Sequence, residues 1–69
     1  MKTGRIKWYN AFQSHGYIVL WDGTEIYFHA SSIRNSGLVK HLNAGTDVSF
    51  DLIETRGGPE AHNVDLIGW

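Results

Sequence analysis

Rings recur on alternate residues in two neighbouring stretches, His15-Gly16-Tyr17-Ile18 and Ile26-Tyr27-Phe28-His29. An extended backbone sends alternate side chains to opposite faces. His15 and Tyr17 therefore share one face, as do Tyr27 and His29, while Ile18, Ile26 and Phe28 point the other way. Only Trp21-Asp22-Gly23-Thr24 separates the two runs, so they are expected to pair as a hairpin. The product is a wall of rings backed by an aliphatic core. Such a wall gains nothing from water, but unpaired nucleobases stack on it. The chemistry these residues suit is non-covalent: holding single-stranded nucleic acid.

Other chemistries fit the residue types less well. His15, His29, His41 and His62 show no short-range zinc-type spacing and the chain has no cysteine, so no metal site is expected. A nucleophile system built on Ser14-His15, with Asp22 or Asp65, would need two strand neighbours on one face, and neighbours diverge. Arg56-Gly57-Gly58 lacks a following lysine-serine pair and reads as a turn rather than a phosphate loop. No nucleophile elbow or paired-carboxylate cleft is visible. The expectation is a protein with no catalytic residue and no cofactor, and not an enzyme.

The rings need a scaffold, and strand signals dominate the chain. The pattern predicts strands at about Gly4 to Asn10, Gly16 to Leu20, Glu25 to His29, Asp47 to Glu54 and Ala61 to Ile67. Ala30 to Ile33 is long enough for one 3₁₀ turn only. Arg34 to Gly45 reads as a long loop, with Leu38, Val39 and Leu42 packing part of it down. In the later strands Val48, Phe50 and Leu52, then Val64 and Leu66, face inward. Arg56 to Pro59 reads as a turn. Five short strands laid flat would leave open edges, and a closed barrel removes them. The expected fold is therefore all-β, a five-stranded antiparallel OB-fold barrel, with 1–69 as one domain.

Sixty-nine residues bury only about 60% of the unfolded chain's surface, so large rings left outside need a reason. The Met1 to Arg5 segment carries no apolar signal, and no apolar stretch is long enough to span a bilayer. A cytoplasmic protein with no membrane partner is the expectation, and the absence of cysteine implies no oxidising compartment. The net charge of −1 argues against simple phosphate wrapping. Arg5 and Lys7 cluster beside Trp8, however, while Asp47, Asp51 and Glu54 lie in a later segment, so the local sign is expected to differ from the total. Stacking should carry more affinity than ion pairing, with a shallow salt dependence.

Lys7-Trp8-Tyr9-Asn10, Gly16-Tyr17-Ile18, Ile26-Tyr27-Phe28-His29 with Ser32-Ile33, Gly45 to Phe50 and Gly58 to Val64 together resemble the cold-shock domain family, in order and spacing, from about Gly4 to Val64. The family patterns are Lys-Trp-Phe-Asn, Lys-Gly-Phe-Gly-Phe-Ile, Val-Phe-Val-His-Phe, Gly-x-x-Val-x-Phe and Gly-Pro-x-Ala-x-Asn-Val. The resemblance implies a cold-shock barrel that binds single-stranded RNA or DNA, usually pyrimidine-rich, and acts as an RNA chaperone or transcription antiterminator. It implies Lys7 as a phosphate contact and Trp8, His15, Tyr17, Tyr27 and His29 as base platforms. It adds Tyr9, Leu38 and Arg56 to the nucleic-acid-binding set. A monomer or weak dimer is expected.

The departures bear on affinity. Gln13-Ser14-His15 replaces Lys-Gly-Phe, with loss of a lysine and a phenylalanine, Ala30 stands where many members carry a ring, and Leu38 replaces a loop phenylalanine. Each stacked base is worth roughly 1–3 kcal/mol, so weaker binding or a shorter footprint is expected, with Trp21 as a candidate substitute platform. A His15 contact to phosphate would strengthen as pH falls through the ordinary histidine range. Three readings stay open on pattern alone. Alternation from Ile6 sends Trp8 inward, whereas a bulge sends it outward. Tyr17 and Tyr27 also serve as a cross-strand pair worth roughly 0.2–1 kcal/mol, and His29 either stacks or bonds to nearby backbone. The alternative function is a protein-interaction module on the same barrel, extended by Trp21, Leu38 and Trp69, with a partner in the transcription machinery.

Overall fold

The computed structural model describes residues 1–35, 37, 40 and 42–67. Its strands are β1 Lys2–Asn10, β2 His15–Val19, β3 Glu25–His29, β4 Asp47–Thr55 and β5 Gly58–Leu66, with a 3₁₀ turn over Ala30–Ser32. They close into a barrel in the order β1-β2-β3-β5-β4. The β1–β2, β2–β3, β1–β4 and β4–β5 pairs are antiparallel, while the closing seam between β3 and β5 is parallel. Leu38, Val39, His41 and Trp69 of the sequence reading lie outside the described residues.

Alternation fills the interior. Ile6, Ile18, Ile26, Phe28, Val48, Phe50, Ala61 and Val64 are almost wholly shielded from solvent, and Ile33 and Leu42 are buried with them in the same core cluster. Each large apolar side chain so buried contributes about 1.5–3 kcal/mol relative to exposure, which is why this face, not the ring face, sets the register. Leu52 and Leu66 pack against the same cluster from partly buried positions.

Two bulges adjust the phase. On β1, Ile6 faces Ile18 but Trp8 faces Tyr17, so Lys7 is an extra residue. An extra residue shifts every side chain beyond it to the other face. On β5 the register slips between the Asp65 and His62 pairings, with Asn63 at φ 54° and its Nδ2 donating to Asp51 Oδ2 at 2.9 Å. Asparagine tolerates that left-handed backbone, and the slip lets Ala61 and Val64 both point inward. Gly58 and Pro59 belong to β5 rather than to a turn, with Pro59 opposite Glu54, ahead of the Tyr27–Glu60 seam position. Proline there removes no bond from the seam.

Candidate nucleic-acid interface

The β1 bulge decides the orientation of Trp8. With Lys7 inserted, Trp8 turns outward beside Tyr17, and its indole is 39% exposed. In the β2–β3 ladder His15 faces His29 and Tyr17 faces Tyr27. Four rings consequently meet on the outer wall in a closed circuit. Ring centres are 5.7 Å apart for Trp8–His15, 5.6 Å for His15–Tyr27, 5.9 Å for Tyr27–Tyr17 and 5.3 Å for Tyr17–Trp8. Their planes are tilted by 48° to 76°, the edge-to-face range favoured by aromatic quadrupoles. None lies flat on its neighbour, so the circuit leaves ring surface open to solvent.

Close strand approach holds the circuit together. A Cβ on Gly16 would collide with the Trp8 carbonyl oxygen and crowd the Tyr9 Cα and the Phe28 ring. Only a residue without Cβ lets β1 lie this close to β2, directly behind the rings. Tyr9 takes the opposite face: it is half-buried, with its ring stacked on Phe28 at 5.8 Å and 14°. The structure therefore separates Tyr9 from the Trp8–His15–Tyr17–Tyr27 group, because the strand resumes its alternation beyond the bulge.

His29 stands at the margin of the group. Its Nδ1 accepts the Ser31 amide at 3.0 Å and lies 3.0 Å from Ser31 Oγ, capping the 3₁₀ turn. The backbone bond expected as one reading of His29 is thus present. Because an amide can only donate, the neutral tautomer that fits this bond carries its proton on Nε2, which has no hydrogen-bond partner among the described residues.

Charge is arranged differently from the sequence expectation. The β1–β4 pairing places Asp47 opposite Arg5, and Arg5 Nε donates to Asp47 Oδ1 at 2.9 Å. Lys7 Nζ is 2.7 Å from Glu25 Oε2. The positive cluster at Arg5 and Lys7 is therefore neutralised, because sheet pairing brings acids from distant and neighbouring segments to these bases. Glu60 adds a third carboxylate, across the seam from Tyr27. Arg56 sits in the β4–β5 turn, exposed, with no ion pair to any described residue. Trp21 is 97% exposed in the β2–β3 turn. It lines an open groove of about 600 Å³ together with Arg5, Leu20, Asp47 and Ile67. That turn is at the Val19–Glu25 end of the hairpin, so Trp21 stands apart from the ring circuit. Sequence reasoning passed over Phe12, which is fully exposed in the β1–β2 loop; loop residues carry no periodicity to flag them.

Comparison with known proteins assigns this architecture. The profile described as the "'Cold-shock' DNA-binding domain" matches residues 2–67. The chain belongs to the cold-shock domain family. It is 38% identical over 64 residues to cold shock-like protein CspD of Bacillus cereus, covering 93% of this chain and 96% of the relative. It is 41% identical over 64 residues, with the same coverage, to cold shock protein 1 of Lactiplantibacillus plantarum. Cold shock protein CspB of Geobacillus stearothermophilus matches at 34% over 64 residues, again at 93% and 96%. Cold-shock domains are non-enzymatic and bind nucleic acid, and the family supports single-stranded binding in general. No helix among the described residues is long and apolar enough to cross a membrane.

Proposed function

We propose that this cold-shock domain, as one folding unit over 1–69, holds pyrimidine-rich single-stranded RNA or DNA by stacking bases on Trp8, His15, Tyr17 and Tyr27. His29 extends the row, and Lys7 and Arg56 meet phosphate. The closed ring circuit on the outer barrel wall carries the reading. Four π-surfaces within 6 Å of their neighbours offer contiguous platforms that a duplex, with its bases already stacked, cannot occupy. Tyr9 contributes by supporting the strand from the core side.

Stacking supplies most of the affinity, because Glu25, Glu60 and Asp47 offset the nearby cations. The salt dependence is correspondingly shallow, and the affinity lies below that of relatives with a lysine at position 13 and a phenylalanine at position 15. In the cell such binding keeps RNA single-stranded, as a chaperone or antiterminator does, in the cytoplasm and as a monomer or weak dimer. The family match lends no support to a protein-interaction role in its place.

The test is fluorescence titration with oligo-dT, oligo-U, oligo-dA and a duplex at two salt concentrations. Preference for the pyrimidine single strands is expected, with Trp8→Ala weakening them by roughly 5- to 150-fold. No binding at high micromolar protein would refute the proposal. A hairpin-opening assay with labelled RNA tests the chaperone role.

A further inference from the structure

We propose that Phe12 is a further nucleobase platform, one that lengthens the footprint past His15. The inference rests on the single-strand reading above. The Phe12 ring is 101% exposed, as open as in an unfolded peptide, so it contributes nothing to the core and folding gives no reason for it.

The segment that carries the ring is nonetheless well tied. Asn10 Oδ1 accepts the Phe12 amide at 2.9 Å and the Gln13 amide at 3.1 Å, the side-chain-to-backbone pattern of an Asx turn. At the loop's other end the Ala30 amide donates to the Ser14 carbonyl at 2.8 Å. A ring presented on a pre-ordered turn loses little entropy on binding.

Placement and charge favour a nucleobase as the occupant. The loop joins β1 to β2 where Asn10 pairs with His15. Phe12 precedes His15 by three residues, a reach of at most about 11 Å. That is roughly three rises of a stacked strand, within the path of a strand leaving the circuit. Among the described residues this end otherwise offers the imidazoles of His15 and His29, and Ala30 adds no ring.

Among the described residues a second ring is almost fully exposed, that of Trp21, and it provides a contrast. Its turn holds Asp22, with Glu25 and Asp47 nearby. Thr24 donates its amide to Asp22 Oδ1 at 3.0 Å, which keeps that carboxylate ionised. Carboxylates repel a polyanion. Ala11-Phe12-Gln13-Ser14 contains none, so of the two solvent-standing rings Phe12 is the one a nucleic acid can approach.

The experiment titrates the full chain and Phe12→Ala with oligo-dT from about 4 to 12 nucleotides, at low salt. Because the ring touches nothing, Phe12→Ala should melt with the parent. The expected result is a loss of roughly 5- to 150-fold for the longer oligomers, little change for the shortest, and recovery in Phe12→Trp with quenching of the new indole. Equal affinities of parent and Phe12→Ala at every length overturn the inference while leaving the ring circuit intact. So does a variant that loses self-association or vesicle binding but keeps the parent's oligo-dT affinity. A parent that binds no oligomer refutes the underlying function instead.

Discussion

Replacing Glu25 with glutamine should tighten the hold on single strands and steepen its response to salt. Lys7 Nζ lies 2.7 Å from Glu25 Oε2, and both side chains are nearly half exposed. An exposed pair of this kind is worth at most about 1 kcal/mol, so the substitution barely alters stability. For binding, the same quantity is released to Lys7 when its competitor disappears. A phosphate reaching the Lys7 ammonium also comes within roughly 6 Å of the carboxylate, a repulsion of about 0.7 kcal/mol in water. The two effects together amount to about 0.7–1.7 kcal/mol, or roughly 3- to 16-fold in Kd at low salt. One more phosphate neutralised should steepen the slope of log K against log salt by about 0.7 for a single strand. Quenching of tryptophan fluorescence by oligo-dT at several salt concentrations reads both quantities. A Glu25→Gln protein with the parent's affinity and slope would show that Lys7 does not meet phosphate.

Three other outcomes follow from the geometry. Ser14 adopts φ 59°, a left-handed conformation that burdens any residue with a Cβ, so Ser14→Gly should gain about 1 kcal/mol and raise Tm by about 4–8 °C; a lower melting temperature would count against it. Gly16→Ala forces a methyl onto the Trp8 carbonyl and should cost about 1–3 kcal/mol in urea unfolding, with weaker oligo-dT binding as β1 moves off β2. The Thr24 backbone amide, and then the Thr24 side chain, hold the Asp22 carboxyl below its ordinary value of 3.8. Its lowered value means a stability contribution present above that pH and lost as acid carries the solution below it. Asp22→Asn should therefore be less stable than the parent at neutral pH, and the two should converge in strongly acidic melts.

Much of the barrel was legible because strand alternation is a local property. The inward set Ile18, Ile26, Phe28, Val48 and Phe50 follows from it, while the β3 limits follow from strand-forming residues next to turn residues and the 3₁₀ turn after His29 from the shortness of its segment. Trp8 was not decidable, since alternation breaks at Lys7 and nothing in Ile6-Lys7-Trp8 announces the extra residue. The charge balance was less legible still. Asp47 reaches Arg5 only because β4 lies beside β1, a relation between residues 42 positions apart. Gly58-Pro59 has the composition of a turn, yet the ladder with β4 draws both into β5. Ser14 shows the opposite case: the resemblance marked its position as one where glycine is usual, and the positive φ supplies the reason.

The β3–β5 seam gives the barrel a directional weakness. Within the two strands it is a single parallel pair, Tyr27 with Glu60, and among the described residues the chain regains this neighbour at Ile33–Val64, where the Arg34 amide meets the Val64 carbonyl at 2.9 Å. Like a cask with one lightly hooped stave joint, the cylinder should part there before it parts anywhere else. Tyr27 sits on that joint, so a bound strand that grips its ring also clamps the seam. Amide exchange along β3 and the start of β5 should then slow on loading, even though the ligand never touches the barrel's interior.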